Sequence, residues 1–240
     1  MGLIKYAVLN DIHFPYEGPA YYKAFDMMKQ TPNLSGIYLN GDICEIESVS
    51  SHPKGPAAHR LLMAELEQIN VKFDTIQNAF QYVPVRYLEG NHEFRIYRYL
   101  RDVSPELWGL ISCPKIFKFD NRPHWTFHQY GPTQLEKIGR TKDLYCRHEP
   151  LVGGQFHAKG TAEKSVVSMI YGHTHVYQQF THKKFGPTPY SVTALSNGWL
   201  GDINQECFNY RGARDNWQSG FSMIECDEKS GDYEVRFYPL

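Results

Sequence analysis

Cysteine is scarce in this 240-residue chain, and the five present, Cys44, Cys113, Cys146, Cys207 and Cys226, are scattered and never form a CxxC pair. Neither a disulfide framework nor a cysteine-held zinc site is therefore expected, and a reducing cytoplasm is the compartment that fits. An excess of one charge is also lacking. Lys and Arg number 25 against 26 Asp and Glu, so no global field draws the chain to polyphosphate backbones or anionic membranes, and any contact with nucleic acid has to be local. No apolar run approaches a bilayer-crossing length, so no membrane partner is expected. Ala7-Val8-Leu9 meets Asn10-Asp11 at once, too short a stretch for a signal peptide, and Tyr6 stands where a myristoylation pattern wants Ser or Thr. Repeats, low-complexity tracts and linkers are missing too. At this length one domain, 1–240, is the expectation.

What is present is a recurring strand, polar turn and helix. Ile4 to Leu9 reads as a strand ending at Asn10-Asp11, with a helix over Pro19 to Gln30. Gly36 to Leu39 is a second strand, breaking at Asn40-Gly41-Asp42 and leading to a helix near Ala57 to Phe80. There Leu61, Leu62, Leu66, Ile69, Phe73, Ile76 and Phe80 recur at helical spacing and mark one buried face. Pro84 to Leu88 is a third strand, ending in Glu89-Gly90-Asn91-His92-Glu93 before a helix toward Arg101. Such units argue for a partly parallel sheet whose ligands sit beyond the carboxyl ends of its strands. The second half bunches short apolar stretches between Gly and Pro. Lys115 to Phe119, Trp125 to Gln129, Asp143 to Cys146, Ser168 to Tyr171, Tyr190 to Leu195, Phe221 to Cys226 and Tyr233 to Tyr238 are expected as strands of a second sheet and its neighbours, with one helix over Ala158 to Val167.

The polar residues at the strand ends carry the chemistry. Asp11 and His13 place a carboxylate and an imidazole one residue apart, although an Asp-x-His in a loop is more often a turn or cap device. Asp42 follows a turn-making glycine; its carboxylate is suited to bridging two cations, and its ordinary alternative is again a turn. Asn91 offers a neutral oxygen ligand beside His92, which is free for proton transfer, against the alternative of a helix N-cap. Gly172-His173-Thr174-His175 presents two imidazoles in a polar turn, where histidines are seldom core filler.

Together, Asp-x-His, Gly-Asp, Gly-Asn-His-Glu and Gly-His-Thr-His, in that order from Asp11 to His175, resemble the motif set of the calcineurin-like metallophosphoesterases. The resemblance implies an α/β fold in which two mixed sheets pack as a sandwich between flanking helices, a four-layer α-β-β-α arrangement. It implies two divalent metal ions, with Asp11, His13 and His175 joining a bridging Asp42 in one site, and Asp42, Asn91, His173 and one further histidine in the other. His148, led by the strand into Cys146, is preferred for that ligand over His157, although the family has His-Gly where this chain has Arg147-His148-Glu149. The remaining histidines, His52, His59, His124, His128 and His182, are assigned to surface or sheet faces.

The implied chemistry is hydrolysis of a phosphate ester by a water held between two ions about 3.5–4 Å apart. His92 would assist the leaving oxygen, oriented by Glu93 or another carboxylate. Mixed nitrogen and oxygen ligands suit Mn²⁺, which is favoured, or Fe or Zn²⁺. For the substrate, Arg95, Arg98 and Arg101 are phosphate candidates or a solvated helix face. Trp199 and Trp217, in a loop with Arg211 and Arg214, are candidates for stacking a nucleobase or for packing. A phosphomonoesterase on a small molecule such as a nucleotide is the first reading. A phosphodiesterase or nuclease on single-stranded nucleic acid or a cyclic nucleotide is the second, and a non-catalytic scaffold the third.

Overall fold

The computed structural model describes residues 2–50, 62–208 and 216–240. Two sheets face each other. The first has the strand order β11-β10-β1-β2-β3-β4, formed by β1 (Leu3–Leu9), β2 (Leu34–Asn40), β3 (Val85–Leu88), β4 (Trp125–His128), β10 (Gly220–Asp227) and β11 (Tyr233–Pro239). β1 to β4 pair in parallel, and β10 and β11 add antiparallel strands beside β1. The second sheet runs β5-β6-β7-β9-β8, from β5 (Glu136–Lys137), β6 (Leu144–Cys146), β7 (Ser168–Tyr171), β8 (Gln178–Lys184) and β9 (Tyr190–Ser196).

Burial along β1 explains the layering. Ala7 and Leu9 point into one apolar cluster, and Tyr6 and Val8 into another, so both faces of the strand are covered. The first cluster lies under α1 (Pro19–Gln30) and α2 (Leu62–Ala79), which contribute Tyr21, Ala24 and Met28 and then Leu66, Ile69, Phe73 and Ile76. The second cluster is the seam between the sheets, where Val8, Tyr38 and Ile224 meet Leu144, Cys146, Ile170 and Leu195. A third, with Ala162, Met169, Tyr171 and Ala194, seats α5 (His157–Lys164) on the far side of the second sheet. The layers are helix, sheet, sheet, helix, as the resemblance implied. No helix among the described residues is long and apolar enough to cross a membrane.

Lys115 to Phe119 is a correction. The segment is not a strand but the short helix α4 (Cys113–Ile116), followed by a 3-10 turn over Phe119–Asn121. Pro114 sits in the first turn of α4, where its missing N–H costs nothing, and Lys118 takes a left-handed φ of 53° that ends any extended run. Phe117 and Phe119 are buried because the turn drives both into the first cluster, not because they alternate across a sheet. Strand β8 was not foreseen either: Gln178 to Lys184 holds a single apolar residue, Phe180, and its polar members alternate half-buried and exposed at a sheet edge. Helix α5 stops at Lys164, three residues short of the expected end, and residues 57–61 of the expected second helix lie outside the described residues.

Candidate metal centre

Every motif stands just past the carboxyl end of a strand that runs parallel to a neighbour: Asp11 and His13 after β1, Asp42 after β2, Asn91 after β3, His148 after β6, and His173 and His175 after β7. The turns that hold these residues are unusual. Asp11, His13, Asp42, His173 and His175 all have φ between 49° and 69°, a left-handed region that non-glycine residues adopt at a cost of about 1–3 kcal/mol each. The motif glycines permit the crowding. A Cβ at Gly90 would lie 2.1 Å from the Asp42 nitrogen, and one at Gly172 would lie 2.4 Å from Asp11 Oδ2, so any side chain there would push a carboxylate aside.

Two groups of ligand atoms form at this edge. In the first, Asp11 Oδ1 lies 3.2 Å and His13 Nε2 3.4 Å from His175 Nε2. In the second, His148 Nε2 lies 3.2 Å from Asp42 Oδ2 and 3.0 Å from Asn91 Oδ1, which is itself 2.8 Å from His173 Nδ1. The groups adjoin, since the His173 backbone N–H donates to Asp11 Oδ2 at 2.9 Å. Asn91 does not cap a helix: α3 (Arg95–Val103) begins after Phe94 without a side-chain cap. His157 lies elsewhere, its Nδ1 2.6 Å from the Tyr171 hydroxyl. The structure thus brings His148, and not His157, to the other six.

These atoms suit cations. With Nδ1 3.2 Å from the Asn40 carbonyl, His148 turns Nε2 on two oxygens, an arrangement that needs positive charge between them, either a proton on Nε2 or a cation in its place. Burial works against a charged His148, yet Asp42, and beyond it Asp11 and Glu93, push its pKa up to about 10. His175 goes the other way: burial, against the pull of Asp11, lowers it to about 4, which leaves a neutral imidazole able to ligate. Three groups of histidine and carboxylate atoms with the spacing to hold a metal are present among the described residues.

The third of these groups, His13, Glu45 and His92, contains a residue the sequence reading passed over. Glu45 Oε2 accepts from His13 Nδ1 at 2.7 Å and lies 2.8 Å from His92 Nδ1, a close electrostatic contact without hydrogen-bond alignment. Burial alone would raise the Glu45 carboxyl, but His92, His13 and Arg95 hold it well below the usual carboxylate range. Its position three residues beyond Asp42 carried no motif signal in the sequence. Glu93 does not orient His92; its oxygens accept from the N–H groups of Cys44 and Gly90 and from the Tyr87 hydroxyl, each at 2.8 Å.

A buried amide chain holds Asp11 from behind. Ser222 donates to Asn197 Oδ1 at 2.6 Å, Asn197 to Asn10 Oδ1 at 2.9 Å, and Asn10 to Asp11 Oδ2 at 3.2 Å, linking β10, the end of β9 and the end of β1 across the two sheets. These four residues have no exposed surface.

The substrate candidates fare differently. Arg95 is buried, with Nη1 donating to the Glu45 carboxylate and carbonyl at 2.7 Å and Nη2 lying 3.0 Å from His92 Nε2. Arg101 is exposed and pairs with Asp102, while Arg98, also exposed, reaches the Asn91 carbonyl at 3.1 Å. Trp199 is 2% exposed and stacks on the His175 ring, so it packs the centre's wall and offers no face to a base. Trp217 is half-buried, edge-on to His175 at 4.3 Å. His124 is exposed and His128 and His182 are half-buried, as assigned; His52, His59, Arg211 and Arg214 lie outside the described residues.

"Gene 54 protein" of Mycobacterium phage D29 is 25% identical over 234 residues, covering 93% of this chain and 89% of that one; its counterpart in phage L5 is 24% identical over the same shares. Among solved structures, a single mutant of Vps29 from Entamoeba histolytica matches at 15% identity and a TM-score of 0.44, with 99% of both chains covered. Vacuolar Protein Sorting 29 from Cryptosporidium parvum matches at 12% and 0.45, covering 99% of this chain and 98% of that one. The family model for calcineurin-like phosphoesterases matches residues 4–177, most of the chain and every motif from Asp11 to His175, and the chain belongs to that family.

Proposed function

We propose that residues 1–240 act as one metal-dependent phosphoesterase domain, most simply a phosphomonoesterase on a small molecule such as a nucleotide, working in the cytoplasm. The observation that carries this reading is the pair of adjoining ligand groups, the buried Asp11, His13 and His175 beside Asp42, His148 and the half-buried His173, with Asn91 between the last two. Asp42, whose carboxylate is held far below its ordinary pKa against the cost of burial, is the residue proposed to serve both ions. Two divalent ions held there, with Mn²⁺ favoured, would supply charge neutralisation on the phosphoryl oxygens and lower the pKa of a bound water toward about 7. The protein's own groups do the rest. Glu45 holds His13 in the tautomer that ligates, and steadies positive charge on His92. His92 is proposed to assist the leaving oxygen; at rest its Nε2 accepts from Arg95 Nη2 at 3.0 Å and burial lowers its pKa, so it would take up the proton it delivers only once substrate displaces that contact. Arg98, exposed on α3 and holding the Asn91 carbonyl through one Nη2–H, is the arginine proposed to meet substrate oxygens.

A near-neutral chain favours a small ester over duplex nucleic acid, whose binding leans on many phosphate contacts. The test compares turnover of an aryl phosphate monoester, an aryl diester, nucleoside monophosphates and a short single-stranded DNA after chelator stripping and Mn²⁺ addition. Monoester turnover is expected to dominate. Dominant diester or DNA cleavage would put the nuclease reading first, and no turnover on any would favour the scaffold.

A further inference from the structure

Beside the metal centre lies a cavity of about 570 Å³ that the chemistry above does not use. Its walls include Gln155, His157, Thr174, Gln178, Asn216 and Gln218, and among the described residues none of the side chains that line it is an acid, a lysine or an arginine. Thr174 stands between His173 and His175, and the Gln218 backbone N–H donates to the His175 carbonyl at 2.9 Å. Trp217, between Asn216 and Gln218, packs on the His175 ring. The cavity therefore shares a wall with one of the two ligand groups.

Its polar groups are arranged to hold something neutral. Gln178 is fixed, with Nε2 donating to the Gln155 carbonyl at 2.8 Å and Oε1 accepting from the Ala158 N–H at 3.4 Å. Gln218 spends its Oε1 on the Tyr177 N–H, which leaves its amide hydrogens without a partner among the described residues. The Gln155 side chain likewise makes no hydrogen bond there. His157 is 4% exposed; its Nδ1 faces the Tyr171 hydroxyl, its Nε2 has no partner among the described residues, and burial keeps the ring neutral. A buried, half-satisfied imidazole and free amide groups in a space of this size match a ligand that is uncharged, planar and carries donors and acceptors side by side. Glutamine and asparagine side chains read base edges by that pairing.

We propose that this cavity is the subsite for the base and sugar of a nucleoside phosphate whose phosphoryl group lies at the metal centre; the inference rests on the phosphoesterase reading. Base recognition then belongs not to Trp199, which is buried, but to the amides and His157 alongside.

The experiment uses the full chain and two variants, Gln155→Ala, which removes an amide away from the ligands, and Val176→Phe, which fills the cavity beside the ligand His175, with bound metal measured in both so that loss of the centre is told apart from loss of the subsite. For Mn²⁺-loaded protein, kcat/KM on a nucleoside 5′-monophosphate is expected to fall at least about tenfold in Val176→Phe and severalfold in Gln155→Ala, while phenyl phosphate, too small to fill the cavity, changes less than about twofold. Equal losses on both substrates, or no loss on either, would overturn the subsite. Binding of adenosine, guanosine, cytidine and uridine, followed by saturation-transfer NMR, reads the cavity without catalysis. At least one is expected to bind the wild-type chain with or without Mn²⁺ and to be lost in Val176→Phe. A wild-type chain that binds none of the four refutes the subsite even if phosphatase activity is found. Nucleoside binding without any turnover sustains the subsite and sinks the enzyme instead.

Discussion

Asp42→Ala is expected to lower metal-dependent turnover by at least about 10³-fold, because several kcal/mol of charge stabilisation rest on the ions it is proposed to bridge. The same residue organises the turn around it. Its Oδ1 accepts the His92 backbone N–H at 2.8 Å, and its Oδ2 lies 3.2 Å from His148 and 3.7 Å from His92 Nε2. Removing it leaves His148 without its main counter-charge, so bound metal is expected to drop by at least one ion per chain, as read by mass spectrometry of metal content. Asp42→Asn keeps the volume and the acceptor for His92 while deleting the charge, and is expected to behave like alanine in metal content but like the wild-type chain in thermal unfolding. Full activity in Asp42→Ala would sink the dinuclear site.

His92→Ala should lower kcat by about 10²–10⁴-fold with metal content intact, the range for loss of a positioned proton donor. A donor to the leaving oxygen matters most when that oxygen leaves poorly. The loss is therefore expected to be larger on phenyl phosphate than on 4-nitrophenyl phosphate; equal losses would mean that His92 stabilises the phosphoryl group rather than the leaving atom. Glu45→Gln touches both His92 and His13, and is expected to weaken metal binding by about 10–100-fold as well as kcat. Combined with His92→Ala, its effect on kcat should be less than additive, since the two residues act as one unit.

Much of this architecture was readable because parallel strands end abruptly in polar turns. β1, β2, β3 and β7 were each signalled by a short apolar run followed by Asn-Asp, Gly-Asp, Gly-Asn or Gly-His, and the structure sets these turns along one edge. Glu45 escaped notice because a lone acid inside Ile43-Cys44-Glu45-Ile46 has no periodic or motif signal; only the fold shows that Oε2 stands between His13 and His92. Arg95 and Trp199 were left between two readings for a related reason. Chain position put both near the centre, but it could not tell that Glu45 takes up the guanidinium or that His175 takes up the indole face. The strand assigned to Lys115 to Phe119 failed because closely spaced aromatics fit a tight turn as well as a sheet, and Pro114 decides for the turn. The His148 assignment was harder, since Arg147-His148-Glu149 departs from the family's His-Gly, yet the lead-in strand β6 sets the ring 3.0 Å from Asn91.

The most direct measurement is a stepwise Mn²⁺ titration of chelator-stripped protein in which bound metal and hydrolysis of 4-nitrophenyl phosphate are followed in the same samples. Activity is expected to be absent without metal, and to rise with Mn²⁺ until it saturates at about two ions per chain, as a two-metal site requires. Hydrolysis that is unaffected by stripping, or two ions bound with no hydrolysis of this or any other phosphate ester, would contradict a dinuclear phosphoesterase built on Asp11, His13, Asp42, Asn91, His148, His173 and His175.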